Sequence, residues 1–284
     1  MIKVDNISFS YEKDKDPAIK GISFEIKKGE IFGFLGPNGA GKSTTQKLLT
    51  KLLKPSQGSI SVMDKNLTDW ESDYYEHIGV CFELPNHYSK LSGLENLQFF
   101  GSFYKKSTMD PKELLKLVEL DDAIDKRVGN YSKGMKMRLN FARALLNDPE
   151  ILFLDEPTTG QDPKHQRLIK DIIMQKKKEG KTIFLSTHNM QDAEELCDRV
   201  AFLVKGQIKS VENPQELKIR EGKKTVEVGY RVNGQYKKVE FPLENLGANQ
   251  EFIKFLQTNQ IDTIHSMDAS LEQIFIRYTG TGLE

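Results

Sequence analysis

This sequence of 284 residues has no excess of basic side chains, few cysteines and only short apolar runs. Its 41 Lys and Arg side chains balance 41 Asp and Glu, so the formal net charge is zero. A protein that wraps nucleic acid or binds acidic lipids through charge would carry a basic excess, and this class is excluded. A disordered acidic chain is excluded as well, because 38% of the residues are hydrophobic and 9% are aromatic. The length favours one large domain with a small second one.

Two cysteines, Cys81 and Cys197, are too few for a disulfide framework, so we expect a reducing, cytoplasmic compartment and no thiol chemistry. The longest apolar runs, such as Ile31–Leu35 and Ile151–Leu154, are far shorter than the roughly 20 residues of a membrane-spanning helix. The N-terminus lacks the apolar segment of a signal peptide. If the protein acts at a membrane, we expect another chain to cross it.

Strand patterns fill the first 35 residues, where polar and apolar side chains alternate between short turns. Glycine-rich residues 36–41 then lead into a predicted helix, which carries four leucines between positions 48 and 53 on one side. Pro55 is expected to end this helix, and residues 58–63 to form another strand.

The pattern becomes helical from about residue 89 to 147, with apolar side chains at Leu94, Leu97, Phe100 and Phe103 in its first part. Short buried strands then alternate with helices, which predicts an α/β domain with a largely parallel sheet. The predicted elements are a helix at 133–146, a strand at 150–155, a helix at 163–178, a strand at 181–186, a helix at 189–197 and a strand at 199–204.

Residues 220–284 predict a small α+β domain that follows an N-terminal domain of residues 1–219. Asn233-Gly234 between two alternating segments is a strong signal for a type I′ hairpin. The predicted elements of this domain are strands at 224–231 and 236–241, a helix near 249–258, a strand near 261–267 and a helix near 270–278.

The segment Gly36-Pro37-Asn38-Gly39-Ala40-Gly41-Lys42-Ser43 fits the phosphate-loop pattern G-x-x-x-x-G-K-[ST]. It follows a buried strand and opens a helix, which is the context that the pattern requires. Glycines let backbone N–H groups turn toward phosphate oxygens, and the helix start adds partial positive charge. Lys42 is expected to reach the β- and γ-phosphates, and the Ser43 hydroxyl to bind Mg²⁺.

Two carboxylates, Asp155 and Glu156, come directly after the buried strand Ile151–Leu154. A strand that delivers Asp to the carboxyl end of a sheet places it where it can hold Mg²⁺, directly or through water. Glu156 beside it is placed to polarise an attacking water as a general base. A solvated strand end is the alternative, and the phosphate loop in the same chain argues against it.

Two further segments reveal a family resemblance. Tyr131-Ser132-Lys133-Gly134-Met135 precedes a helix just upstream of the Asp155 strand, and His188 follows the next strand. In this order and spacing the motifs resemble those of the ATP-binding-cassette (ABC) ATPases over about residues 1–220. The resemblance implies a P-loop NTPase fold with a mixed, largely parallel core sheet, an antiparallel β subdomain and a helical subdomain, besides the small C-terminal α+β domain.

The resemblance also implies roles for individual residues. Glu156 and His188 would be catalytic, and Mg²⁺ would be held through Ser43, Asp155 and Glu83. Asp162 lies in the loop that would cross to the partner subunit. Contacts with ATP would come from Tyr11, Gly36, Pro37, Asn38, Gly39, Ala40, Gly41, Lys42, Ser43, Thr44, Glu83, Ser132, Lys133, Gly134 and Asp162.

Several positions depart from the family pattern or have a plainer interpretation. The usual signature is Leu-Ser-Gly-Gly-Gln, so Ser132 and Gly134 match while Tyr131, Lys133 and Met135 depart. Lys133 adds a donor or points to solvent. Glu83 stands where a glutamine usually links the site to the transport subunit, and we expect coupling of altered strength. Tyr11 is an adenine stacker or a half-buried strand tyrosine.

The implied function is ATP hydrolysis that powers a separate polytopic membrane permease, with the chain peripheral on the inner face of the cell membrane. Two cassettes, either two copies or this chain with a paralogue, would enclose ATP head to tail. Ser270–Phe275 and the signature resemble subunits of bacterial ABC-2-type exporters. A cassette ATPase acting on ribosomes or nucleic acid is the alternative, disfavoured by the single cassette, the absence of sustained heptads and the neutral charge. A small-molecule kinase would leave Ser132–Gly134 and His188 unexplained.

Overall fold

The computed structural model describes residues 1–12, 16–221, 224–267 and 270–280. The chain divides between Asn213 and Pro214 into two compact units. The predicted boundary at 219/220 lies inside the helix that begins at Pro214, and this helix belongs to the second unit.

The N-terminal unit contains, in chain order, β1 (Ile2–Phe9), β2 (Ile19–Ile26), β3 (Ile31–Leu35), α1 (Lys42–Leu49), β4 (Gln57–Val62), β5 (Lys65–Asn66), β6 (Ile78–Cys81), α2 (Gly93–Gly101), α3 (Pro111–Leu117), α4 (Lys133–Leu145), β7 (Ile151–Asp155), α5 (Pro163–Lys178), β8 (Thr182–Thr187), α6 (Met190–Leu196), β9 (Arg199–Val204) and β10 (Gln207–Glu212). Short 3₁₀ turns lie at Leu67–Asp69, Ser72–Glu76, Asp121–Ala123 and Val128–Asn130.

A six-stranded sheet in the order β10-β9-β3-β8-β7-β6 forms the centre of this unit, and every neighbouring pair is parallel except β10 with β9. Its inner strands β3, β7 and β8 are buried along their whole length, as expected for parallel strands covered on both faces. A second, antiparallel sheet has the order β2-β1-β4-β5. The predicted fold class, including the antiparallel subdomain, is confirmed.

Alternate side chains of the central strands contribute to two different cores. On β7, Ile151 and Phe153 join the cluster shared with the antiparallel sheet, whereas Leu152 and Leu154 join the cluster shared with the helices. This period of two is the geometry of a strand with a layer on each face. The two cores hold the carboxyl ends of β3, β7 and β8 at one edge of the sheet.

The first two predicted helices are shorter than the apolar patterns indicated. α1 ends at Leu49, six residues before Pro55, and Lys51 beyond it adopts a left-handed conformation with φ of 62°. Leu52 is consequently 54% exposed. α2 ends at Gly101, so Phe103, which the pattern placed on the same face, lies outside the helix and is 66% exposed.

The C-terminal unit contains α7 (Pro214–Glu221), β11 (Thr225–Val232), β12 (Gln235–Pro242), α8 (Gln250–Thr258), β13 (Ile261–Ser266) and α9 (Leu271–Thr279), with a 3₁₀ turn at Leu246–Ala248. The strands form an antiparallel sheet in the order β12-β11-β13. Asn233 and Gly234 have φ of 51° and 81°, as the predicted type I′ turn requires. Phe241 packs on Phe252 of α8 with ring centroids 5.3 Å apart.

Both cysteines are free thiols. Burial raises the pKa of Cys81 to about 12 and also raises the pKa of Cys197. Among the described residues, none of the helices combines the length and apolar character that crossing a bilayer demands.

Candidate active site

A cleft of about 530 Å³ lies at the carboxyl edge of the central sheet, where β3, β7 and β8 end. Loops that leave parallel strands at this edge form the usual ligand site of an α/β sheet. The cleft is lined by Tyr11, Ala18, Pro37, Asn38, Gly39, Gly41, Lys42, Ser43, Thr44, Glu83, Asp155, Glu156 and His188.

The phosphate loop turns between β3 and α1 through residues with conformations that favour glycine. Gly39 and Gly41 have φ of 77° and 112°. No heavy atom lies within 4 Å of the place where a side chain on Gly39 would begin, so this position faces open space. At Gly36 a Cβ would lie 2.2 Å from the Leu203 carbonyl oxygen. The loop is therefore packed against β9 at its start and open where a phosphate group would enter.

Lys42 is 7% exposed and folds back onto its own loop. Its Nζ donates to the carbonyl oxygens of Gly36, at 2.6 Å, and Pro37, at 3.2 Å. Burial lowers the pKa of Lys42, and the nearby carboxylates of Glu156 and Asp155 act in the opposite direction. This ammonium is pre-positioned beside the loop and has neutral acceptors that a phosphate oxygen can replace.

Asp155 ends β7 and is 4% exposed. The Ser186 hydroxyl of β8 donates to its carboxylate. Burial raises the pKa of Asp155, while hydrogen bonds from the Ser186 and Ser43 hydroxyls oppose the rise. A buried carboxylate in contact with a serine hydroxyl is a hard-oxygen donor set of the kind that Mg²⁺ prefers. Among the described residues, no group of three or more His, Cys, Asp or Glu forms a metal site by itself.

Glu156 is buried, with 4% exposure, and its backbone adopts a left-handed φ of 50°. Such a conformation costs a non-glycine residue about 1 kcal/mol or more. Oε2 accepts from the hydroxyls of Thr159, at 3.0 Å, and Thr187, at 3.2 Å. Oε1 accepts from the backbone N–H of His188 at 2.8 Å and lies 2.7 Å from its Nδ1. The strained turn and these four contacts fix the carboxylate at the cleft.

The residues that orient the carboxylates are the part of the site that sequence reasoning missed. Ser186, Thr187 and Thr159 act on Asp155 or Glu156 through side-chain hydroxyls. The available signal was the position of Ser186 and Thr187 at the end of a buried strand. In the parallel register Asp155 pairs with Ser186, so strand ends 31 residues apart in sequence meet in space.

Tyr11 lies two residues beyond β1 and is 61% exposed. Its hydroxyl is 3.1 Å from the Thr44 hydroxyl, and its ring meets Phe9 edge-on at 4.9 Å. It is therefore not the half-buried strand tyrosine of the alternative interpretation. Glu83 is exposed, follows β6 and lines the same cleft.

The remaining predicted nucleotide contacts are not in this cleft. Ser132, Lys133, Gly134 and Asp162 line a separate cavity of about 340 Å³. Ser132 caps α4 by accepting from the Met135 backbone N–H at 3.2 Å.

Asp162 caps α5 in the same way, accepting from the His165 backbone N–H at 3.1 Å. Its hydrogen bonds with His165 lower the pKa of Asp162. A side chain on Gly160 would begin 3.0 Å from Cε of Lys133, so the lysine stem lies over this glycine. The starts of α1 and α4 thus line two separate cavities of one chain.

Comparisons with known proteins agree with this geometry. Residues 19–159 match the family model described as ABC transporter, and residues 224–268 match that of the fluoroquinolone efflux ABC transporter C-terminal domain. The chain is 52% identical over 284 residues to a fluoroquinolones export ATP-binding protein of Mycobacterium tuberculosis, covering 100% of this chain and 94% of the relative. It is 40% identical over 209 residues to the Nod factor export ATP-binding protein I of Rhizobium meliloti, covering 72% of this chain and 62% of the relative.

Solved cassettes share the fold of the N-terminal unit. A dimeric ATP-binding cassette in a post-hydrolysis state, bound to ADP and Pi, superposes with a TM-score of 0.69 at 28% identity. The match covers 75% of this chain and 98% of that structure. With the phosphate loop, the paired carboxylates and full-length relatives in agreement, the chain belongs to the ATP-binding subunits of ABC transporters and is an ATPase of that family.

Proposed function

We propose that this chain is the ATP-hydrolysing subunit of an exporter, in which a cassette dimer on the cytoplasmic face of the membrane drives a separate polytopic permease. The observation that carries the proposal is the buried Glu156 carboxylate, held 2.7 Å from Nδ1 of His188 at the rim of the phosphate-loop cleft. No step of this proposal requires nucleic acid, and action on a ribosome or nucleic acid is not favoured because the relatives named above are export proteins.

ATP binding rests on the phosphate loop and Lys42. Backbone N–H groups of residues 36–43 and the start of α1 provide donors and partial positive charge for the β- and γ-phosphates. Lys42 exchanges the carbonyl oxygens of Gly36 and Pro37 for phosphate oxygens. Tyr11 presents an exposed ring beside the loop, where an adenine base can stack on it.

Ser43 and Asp155 are the residues that fit Mg²⁺, with Glu83 at the cleft rim as an additional oxygen donor. Mg²⁺, when bound, neutralises charge on the phosphates and orients the γ-phosphate for in-line attack. Ser186 holds the Asp155 carboxylate in place by hydrogen bonding.

Glu156 acts as the general base toward the attacking water. Its Oε2 is held by two threonine hydroxyls, and its Oε1 by two nitrogens of His188, so the carboxylate has little freedom to rotate. The His188 side chain is 46% exposed, lines the cleft and is anchored to Glu156, so it is available to contact the γ-phosphate. A base held in this way can keep the attacking water in place beside the γ-phosphate, which lowers the entropy cost of the attack.

The second helix start gives a reason for dimerisation. Ser132–Gly134 at the start of α4 line a cavity apart from the phosphate loop, so they are available to the ATP bound by another subunit. ATP enclosed between the phosphate loop of one subunit and the α4 start of the other favours the closed dimer. Hydrolysis removes this differential affinity and lets the dimer open.

A groove of about 490 Å³ provides the surface for the permease. Phe82, Tyr88, Phe100 and Tyr104 contribute aromatic side chains to it, and Arg143 lies at its wall. Tyr75 and Tyr88 in this groove are 42% and 50% exposed, and Leu84, between the lining residues Phe82 and Asn86 in sequence, is 79% exposed. Contiguous exposed apolar surface of this kind marks interaction sites.

Glutamine substitution of Glu156 tests the proposal directly. Glu156→Gln keeps the shape of the side chain and one acceptor oxygen, which can still accept from the His188 backbone N–H, but removes the base. We expect ATP binding to persist, steady-state hydrolysis to fall by about two orders of magnitude or more, and an ATP-dependent dimer to accumulate. Phosphate release, nucleotide binding by equilibrium dialysis and molar mass by light scattering measure the three effects.

Glu150→Gln is the matched control, since Glu150 precedes the same strand at its opposite end and its side chain is 46% exposed. It should hydrolyse ATP at the parent rate. Normal turnover by Glu156→Gln would contradict the assignment of the base.

A further inference from the structure

The segment of residues 82–86, which follows β6, lies between two features that the proposed function requires. Glu83 lines the ATP cleft, whereas Phe82 and Asn86 line the aromatic groove. A surface segment in this position transmits a movement only if its backbone is held by an element that itself moves.

Asn140 of α4 holds the first end of the segment. It is fully buried at 0% exposure, and its Nδ2 donates to the carbonyl oxygen of Phe82 at 2.7 Å. The same nitrogen lies 3.3 Å from Sγ of Cys81. A buried amide that donates to a backbone carbonyl is costly to displace, because the bond cannot be replaced by water.

Arg143, one turn along α4, holds the other end. Its guanidinium donates to the carbonyl oxygen of Asn86 at 2.8 Å and to Oδ1 of Asn140 at 2.7 Å. It also stacks on Phe100 in the groove, 4.7 Å from the ring centroid. Asn140 and Arg143 of α4, which are hydrogen-bonded to each other, therefore hold both ends of the segment 82–86.

α4 also begins at Ser132–Gly134, the residues predicted to contact the ATP that another subunit binds. α4 runs without a break for 13 residues from Lys133, immediately after Ser132. Asn140 is eight residues beyond Ser132, which corresponds to about 12 Å along a helix. A rigid helix of this length carries a shift or tilt of its start to Asn140 and Arg143.

We infer that Asn140 and Arg143 are positioning residues that make the 82–86 segment move with α4. ATP contacted at Ser132–Gly134 by α4 then repositions Glu83 at the subunit's own cleft and reshapes the groove for the permease. By linkage, occupation of the groove alters ATP affinity by the same factor. This inference rests on the proposed ATP-dependent dimer.

A fluorescent label at position 84 tests the link without the permease. The parent carries Glu156→Gln, to trap the dimer, and Leu84→Cys, labelled with an environment-sensitive maleimide. Leu84 is 79% exposed, whereas Cys81 and Cys197 have thiol pKa values raised by burial, so labelling is directed to the new cysteine. We expect ATP to change the label's emission in the parent. Asn140→Asp retains the acceptor for Arg143 but loses the donor to Phe82, and it should dimerise with ATP while losing most of the emission change.

Asn147→Asp is the matched control. Asn147 is also buried, with 5% exposure, and its Nδ2 donates to the carbonyl oxygens of Tyr75, Glu76 and Ile78 at 3.1–3.2 Å, before and at the start of β6. It should retain the emission change. A full response in Asn140→Asp, or an equal loss in both variants, would overturn the positioning role. Failure of the Glu156→Gln parent to dimerise would overturn the proposed function itself, and the link with it.

Discussion

At the scale of single residues, burial and nearby polar or charged groups set the pKa values of side chains in the cleft and the groove. Lys42 has its pKa lowered and Asp155 has its pKa raised, in each case because burial disfavours the charged form. Asp155 and Glu156 oppose the shift of the Lys42 pKa, and the Ser186 and Ser43 hydroxyls oppose the shift of the Asp155 pKa, so the cleft keeps a cation and a carboxylate in the same place. The local pairing explains how a chain of zero net charge carries a strongly polar site.

His87 gives this effect a measurable pH dependence. Burial lowers its pKa to about 4, while its ring Nε2 lies 3.0 Å from the carbonyl oxygen of Lys136. In the unfolded chain a histidine has a pKa near 6.5. Between about pH 6.5 and pH 4, His87 is therefore protonated in the unfolded chain and neutral in the folded chain. The free energy of unfolding should therefore fall as the pH drops from about 6.5 toward 4, by up to about 3 kcal/mol from this residue.

Urea unfolding at pH 7 and pH 5, followed by fluorescence of the single tryptophan Trp70, measures this contribution. His87→Gln supplies an amide that cannot titrate. We expect this variant to lose less stability than the parent between the two pH values. Equal losses would show that His87 is not the titrating group.

At the scale of elements, close approach between α4 and the central sheet sets the site. β6 and α4 meet where Gly79 has no side chain, and a Cβ there would lie 1.9 Å from the Ala144 carbonyl oxygen and 2.8 Å from Cγ of Pro149. This contact brings α4 close enough for Asn140 to reach Phe82. The glycine is thus a packing requirement of the helix that begins after Ser132.

Gly79→Ala should destabilise the N-terminal unit by about 3 kcal/mol, the upper end of the usual cost of overpacking, because the backbone at Ala144 and the Pro149 ring must both move. Gly101→Ala is the control, since a Cβ at the end of α2 meets its nearest atom, the Thr108 hydroxyl oxygen, at an ordinary 3.6 Å. Its change should be small. Trp70 fluorescence in urea reports both variants, and a similar small change in both would contradict the close-packing argument.

At the scale of the whole molecule, the starts of α1 and α4 lie in separate cavities of one chain. In the proposed function ATP contacts both helix starts, one from each of two subunits, so the active unit is a dimer. A symmetric head-to-tail pair places each phosphate loop opposite the α4 start of its partner. A mixing experiment with two variants of this chain tests whether two identical chains form the site.

Lys42→Ala removes the phosphate-loop ammonium, and Gly134→Asp puts a negative charge at the α4 start. A side chain on Gly134 begins 3.7 Å from the Gly160 carbonyl oxygen, so the second change fits the fold. Each variant alone should lack hydrolysis. In the mixture, a heterodimer has one intact site. The Gly134→Asp subunit supplies its unchanged phosphate loop to this site, and the Lys42→Ala subunit supplies its unchanged α4 start.

We therefore expect hydrolysis to return on mixing, to at most about a quarter of the parent rate if subunits pair at random and the intact site works alone. Continued inactivity would argue against a composite site in a homodimer.

The sequence by itself determined the local elements and the residues of the phosphate loop. Continuous apolar runs gave β3 and β7, the glycine pattern gave the loop, and Asn233-Gly234 gave the hairpin turn, because each depends on neighbours within a few positions. The helix end at Leu49 could not be predicted in this way. Lys51 turns into a left-handed conformation well before Pro55, and the leucine pattern beyond it continued without a helix.

Only the tertiary structure decided how distant strand ends combine. The parallel register of β7 with β8 sets Ser186 against Asp155 and brings His188 to Glu156, although these pairs are about 30 residues apart in sequence. The separation of Ser132–Gly134 from the cleft was decided in the same way. Motifs specify chemistry through residue type and short spacing, whereas hydrogen bonds across a sheet depend on register, which the whole packed core fixes.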